Sequence, residues 1–143
     1  MKVDQLSIFL ENRAGRLAEV TRLLSEAKVN IRALSLADTS DFGILRLIVS
    51  DFEKAREILK QNGFTVGRTS VVAVEVDDTP GGLHRILDML RDSKVNVEYM
   101  YAFVQQSGSN AIIIFRFDRT DQAIEVLQKN SIPIVPGDKL YNL

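Results

Sequence analysis

The feature that most constrains this chain is that it repeats itself. A shift of 66 positions carries Gly15, Leu17, Leu24, Lys28, Val29 and Asn30 onto Gly81, Leu83, Leu90, Lys94, Val95 and Asn96. The same shift sets Leu6, Ile8 and Leu10 against Val72, Val74 and Val76. Further on the shift becomes 68, and Ala55, Glu57, Leu59 and Asn62 recur as Ala123, Glu125, Leu127 and Asn130. The two extra positions fall around Gln105–Ser109, a polar Gly/Ser segment suited to a hairpin loop. An insertion confined to a loop is what a repeated structural unit tolerates. Two small domains are therefore predicted in the 143 residues, one over 1–68 and one over 69–143.

Each copy reads strand, helix, strand, strand, helix, strand. Leu6, Ile8 and Leu10 alternate with Ser7 and Phe9, the period of a strand. Leu17, Val20, Leu24 and Ala27 mark one face of a helix, as do Leu83, Ile86, Leu87 and Leu90. Residues 30–37 and 43–49 are strand-like, joined by the polar turn Asp38–Asp41. Ser50-Asp51 is expected to cap the second helix, with Asp118 doing the same in the second copy. Asn62-Gly63 stops that helix in copy one, and Phe64 opens the last strand. Pro133 keeps the last strand of copy two short or at an edge. This order predicts an α+β chain of two tandem ferredoxin-like βαββαβ units, with antiparallel sheets and helices on one face. Phe64 to Val76 contains no linker, so the two sheets are expected side by side or continuous.

The sheet face away from the helices should be polar where it meets water. Val97, Tyr99, Tyr101 and Phe103 are instead expected on one strand face, with Met100, Ala102 and Val104 on the other. An aromatic face can simply pad a small domain. The expectation adopted is a homodimer that buries sheet faces.

Composition narrows the function classes. Eighteen basic residues (Lys+Arg 18) against 19 acidic ones give a net charge of −1, which favours neither nucleic acid nor anionic membranes. The longest strongly apolar run, Ala111–Phe115, is far too short to cross a bilayer. The start Met1-Lys-Val-Asp-Gln lacks the apolar core of a secretion signal, so a cytoplasmic location is expected. With no cysteine there is no disulfide, thiol nucleophile or cysteine-based metal site.

The chemistry concentrates between the first strand and first helix of each copy. Copy one has Asn12, Arg13, Ala14, Gly15, Arg16 and Leu17; copy two has Asp78, Thr79, Pro80, Gly81, Gly82 and Leu83. Glycine lets the backbone approach a ligand and turn sharply. The helix start offers unpaired N–H groups that suit a carboxylate. Asn12 and Asp78 offer oxygens to an ammonium, so both ends of a free amino acid could be recognised there. The plainer reading is a capped helix, with Asn12 or Asp78 as N-cap and Pro80 near the first turn. The turn alone leaves both readings open.

The paired D/N-x-x-G-x-L turns, each followed by Lys-Val-Asn (Lys28-Val-Asn-Ile31 and Lys94-Val-Asn-Val97), resemble the ACT domain. The resemblance covers essentially the whole chain as two ACT units with no catalytic domain attached. Gln5–Asn12 and the Asp138–Leu143 tail are similar to a stand-alone tandem-ACT group. It implies binding of an amino acid or related effector between two units. The turn of one unit, as given above, would meet the second-strand opening of its neighbour, Asn30 and Ile31 or Asn96 and Val97. It also implies that the signal passes to a separate protein, such as a metabolic enzyme. The copies differ, however. Asp78 suits an ammonium better than Asn12 does, whereas Arg13 and Arg16 would favour a carboxylate unless they are solvated surface residues. Unequal sites are predicted.

Other classes fit less well. No catalytic residue, cofactor or metal is expected: His84, the sole histidine, reads as an exposed helical residue beside Gly81. No Ser/His/Asp set supports a nucleophile. Asp41-Phe-Gly-Ile-Leu-Arg-Leu47 superficially resembles an RNA-recognition strand but lacks the repeated aromatics and basic entry. The remaining alternative is a ligand-free module that only mediates assembly.

Overall fold

The computed structural model describes residues 1–38, 41–103 and 108–143. Thr39 and Ser40 of the expected turn, Val104, and most of the expected loop at Gln105–Ser109 lie outside the described residues. The chain divides into two compact units, Asp4–Thr69 and Ser70–Tyr141, the second including Met1–Val3. Unit one runs β1 (Val3–Glu11), α1 (Arg16–Glu26), β2 (Ile31–Asp38), β3 (Phe42–Val49), α2 (Phe52–Gln61) and the opening of β4 (Thr65–Asp77). Unit two takes up the rest of β4 and continues through α3 (Gly82–Asp92), β5 (Val97–Ala102), β6 (Asn110–Phe117), α4 (Thr120–Lys129), β7 (Ile134–Val135) and α5 (Gly137–Tyr141).

The strand order is β2-β3-β1-β4 in unit one and β5-β6-β4-β7 in unit two, the same second-third-first-fourth order in each. The pairs β1–β3, β2–β3, β4–β6, β4–β7 and β5–β6 are all antiparallel. Each unit is thus a ferredoxin-like βαββαβ fold. Alternation explains the core of unit one. Leu6, Ile8 and Leu10 of β1 pair with Leu47, Leu45 and Gly43 of β3 and share one face. That face packs on Val20, Leu23 and Leu24 of α1 and on Ala55 and Leu59 of α2. In unit two Val72, Val74, Val76, Phe115 and Phe117 meet Ile86, Leu90, Ala123 and Leu127.

The repeat extends to single hydrogen bonds. Lys28 and Lys94 both sit at φ 59°, just past their helices. The next residue turns back onto the last turn, with Val29 N–H donating to Leu24 and Val95 N–H to Leu90 at 2.9 and 3.0 Å. Asn62 and Asn130 each donate Nδ2 to a carbonyl one turn back, at 2.8 Å.

Three local expectations change. Asp51 caps α2, its carboxylate accepting from Lys54 N–H at 3.2 Å. Asp118 does not cap α4; Arg119 holds the cap position, and Asp118 Oδ1 accepts the Asn96 N–H at 2.9 Å. Ser50 does the equivalent for Asn30. Asp118 therefore matches Ser50 in the repeat, one residue before the cap. Second, neither Asn12 nor Asp78 is an N-cap: Gly15 and Gly81 hold those positions at φ 90° and 87°. Third, Val97 does not share a face with Tyr99 and Tyr101. A register shift between Val97 and Tyr99 turns Val97 onto the helix side, opposite Phe117. Ile31 shows the same shift in unit one. Asp51→Ala should cost about 1 kcal/mol, read as a lower urea midpoint; an unchanged midpoint would mean the cap contributes nothing.

Candidate functional site

The two glycines build the turns. A φ near 90° is open to glycine and strained for other residues, and it lets β1 and β4 fold back into their helices within four residues. In turn one Asn12 to Gly15 are exposed. Asn12 N–H donates to the Asp41 carbonyl at 2.9 Å, tying the turn to the start of β3. Arg13 points its Nε to Glu11 at 3.3 Å, an exposed pair. Leu17, 39% exposed, joins Leu10, Glu11, Asn12, Arg13, Leu36 and Gly43 around a cavity of about 80 Å³. That is room for little more than a side-chain tip.

Arg16 is no solvated surface residue. Its side chain is only 20% exposed, with Nη1 2.8 Å from Glu19 and the guanidinium 4.5 Å from the Phe64 ring centroid. Its Nε is buried with no hydrogen-bond partner among the described residues. Arg16 is thus committed inside unit one.

In turn two Asp78, Thr79, Pro80 and Gly81 are exposed, Leu83 is half-buried and Gly82 is buried. The Thr79 carbonyl accepts the Gly82 N–H at 3.0 Å. A Cβ on Gly82 would run into the Asp77 carbonyl oxygen, so this position admits no side chain without backbone movement. The Asp78 carboxylate has no ion pair or hydrogen bond among the described residues. His84 is 75% exposed, 3.7 Å from Asp88.

Asn30 and Asn96 lie at the far ends of α1 and α3. The backbone of each is held from both sides: Asn30 by Ser50, Asn96 by Asp118. Their side-chain amides are exposed and unpartnered among the described residues. Asn96 and Val97 edge an open groove with Leu87, Arg91 and Lys94, about 420 Å³ in volume. An 11-residue helix spans about 16 Å, so no unit brings its own turn together with its own asparagine. Any site that uses both needs two units.

A third cavity, about 240 Å³, was not foreseen. It is lined by Glu75, Asp77, Gly82, Arg85, Asn110 and Asn130 together with the residues after α4. The signal for it lay in the repeat, where Arg16 and Glu19 change to Gly82 and Arg85. Among the described residues no group of three or more His, Cys, Asp or Glu could hold a metal ion, and no helix is long and apolar enough to cross a membrane.

Residues 1–143 match the ACT domain pair family over their full extent. A protein of known crystal structure from Bacteroides thetaiotaomicron is 43% identical, with a TM-score of 0.94 over 100% of this chain and 98% of that one. The acetolactate synthase small subunit of Buchnera aphidicola subsp. Baizongia pistaciae (strain Bp) is 28% identical over 98 residues, 68% of this chain. The alignment spans 50% of that relative's own length. The ligand-free regulatory subunit of aspartate kinase from Thermus thermophilus, 15% identical, shares the fold at a TM-score of 0.64, covering 88% of this chain and 91% of that one.

Proposed function

Since this chain belongs to the ACT domain pair family, we propose that it is a regulatory module that binds a free amino acid or a close analogue and passes the bound state to a separate protein. The binding surface is the turn of one unit, Asn12–Leu17 or Asp78–Leu83, facing the asparagine of another, Asn30 or Asn96. The observation that carries this reading is the matched pair of asparagines. Each has a locked backbone and a free, exposed amide. A side chain held ready in this way loses little freedom on binding. Asp78 adds an exposed carboxylate for the ammonium, and the names of the relatives, regulatory and small subunits, agree in kind.

Two units must meet, and exposed leucines offer a surface for it. Leu34 and Leu36 lie on the helix side of β2 and are 48% and 52% exposed, an apolar patch of the kind that marks contact sites. We place a homodimer contact there, at the β2 edge, in addition to the sheet face, where Phe9 and Phe42 are 52% and 58% exposed.

A thermal-shift screen against the free amino acids, followed by calorimetry, tests the proposal. At least one should raise the melting temperature. Asn96→Ala and Asp78→Ala should each weaken its binding about 10-fold or more, since a hydrogen bond to a charged group is worth about 1.5–3 kcal/mol. If none of the amino acids stabilises the chain, a purely assembling module becomes the better account.

A further inference from the structure

The 240 Å³ cavity of unit two has a counterpart in unit one that the chain fills itself. Under the two shifts Arg16 stands opposite Gly82, Glu19 opposite Arg85, and Phe64 opposite Ile132. In unit one these three residues touch: the Arg16 guanidinium lies over Phe64 and pairs with Glu19. In unit two all three positions line the cavity. The filling arginine has become a glycine, its acidic partner has become basic, and the ring it lay on has become an isoleucine. Gly82 cannot supply the missing volume, because even a Cβ there meets the Asp77 carbonyl oxygen.

We propose that this cavity is a ligand site of its own, taking the zwitterionic end of a free α-amino acid with a short side chain. Arg85 offers its guanidinium to the carboxylate. Its present partner is Asp77 at 3.3 Å, with side chains 61% and 51% exposed. Such an exposed pair is weakly held, so exchanging it for a ligand carboxylate costs little. The exchange frees Asp77 to join Glu75 in accepting from the ammonium. Asn130 commits its Nδ2 to the Val126 carbonyl at 2.8 Å, which leaves its Oδ1 as a further acceptor. Ile86, Ile132 and Pro133 give the cavity an apolar side. Its volume lies below the roughly 300–1,000 Å³ of pockets for drug-sized ligands, which suits a molecule as small as an amino acid. Unit one cannot do the same, because its own Arg16 occupies the place. This site lies within a single unit and uses neither Asn30, Asn96 nor Asp78; it shares only Gly82, which has no side chain, with the surface proposed above.

The test titrates the 15N-labelled full chain in turn with each of the common L-amino acids, with acetate and ethylammonium as half-ligand controls. At least one amino acid should shift the side-chain amide signals of Asn110 and Asn130, and neither half-ligand should match it. Arg85→Ala, an exposed helical change, should weaken that response at least about 10-fold, while Asn96→Ala leaves it unaltered. The proposal is overturned if no amino acid moves those signals or if Arg85→Ala leaves the affinity unchanged. Shifts confined to Asp78 and Asn96 would sink this site and spare the surface between units; shifts confined to Asn110 and Asn130 would do the reverse.

Discussion

Leu24→Ala and Leu90→Ala should each remove about 2–5 kcal/mol of stability, the range for emptying a closed leucine site. The two residues are equivalent in the repeat, and each is 1% exposed. Leu24 lies against the β1 and β3 side chains in the core of unit one, and Leu90 lies in the unit-two core with Phe115 and Phe117. Those two rings stack with centroids 5.3 Å apart in the same core. Alanine keeps the backbone carbonyls that receive Val29 and Val95, so the loss reports packing alone. Urea titration followed by circular dichroism reads it as a lower midpoint at unchanged slope. A loss below about 1 kcal/mol would mean that the core closes without these side chains.

Gly82→Ala comes next, at about 1–3 kcal/mol, because the added methyl meets a backbone oxygen rather than a side chain that can swing away. Gly81, its neighbour, is restricted for a different reason. Open space surrounds it, but its φ is 87°. The two causes separate by choice of substituent. Asparagine tolerates left-handed backbone, so Gly81→Asn should recover most of the stability that Gly81→Ala loses. At position 82 asparagine should do no better than alanine. Thermal unfolding of the four variants distinguishes these outcomes, and a rescue at position 82 would refute the steric account.

Most of the architecture could be read from residue spacing, because alternation and helical periodicity are local. The β1 pattern Leu6, Ile8, Leu10 and the α3 pattern Ile86, Leu90 both landed on buried faces. What spacing could not show depends on partners far along the chain. Val97 turned to the helix side because of a register shift against β6, which alternation within β5 does not reveal. Asp118 had the chemistry of a cap, but the Asn96 N–H, 22 residues earlier, takes its carboxylate. Arg16 could be read as a ligand contact or as a solvated residue, and Phe64, 48 positions on, supplies the ring that makes it neither exposed nor free. The turns themselves were legible as glycine-dependent and polar. Which of their residues meet a ligand was not, since one unit alone does not bring a turn to an asparagine.

The shared strand order of the two units lets one serve as a control for the other. Both carry the same strand order, the same left-handed lysine and the same tethered asparagine, yet only one has its interior place taken by arginine. Each unit is therefore the other's internal reference, present in the same tube at the same concentration. Salt, temperature and pH act on both halves of such a pair, so a spectral change seen at Asn130 and not at Asn62 reports occupancy rather than conditions.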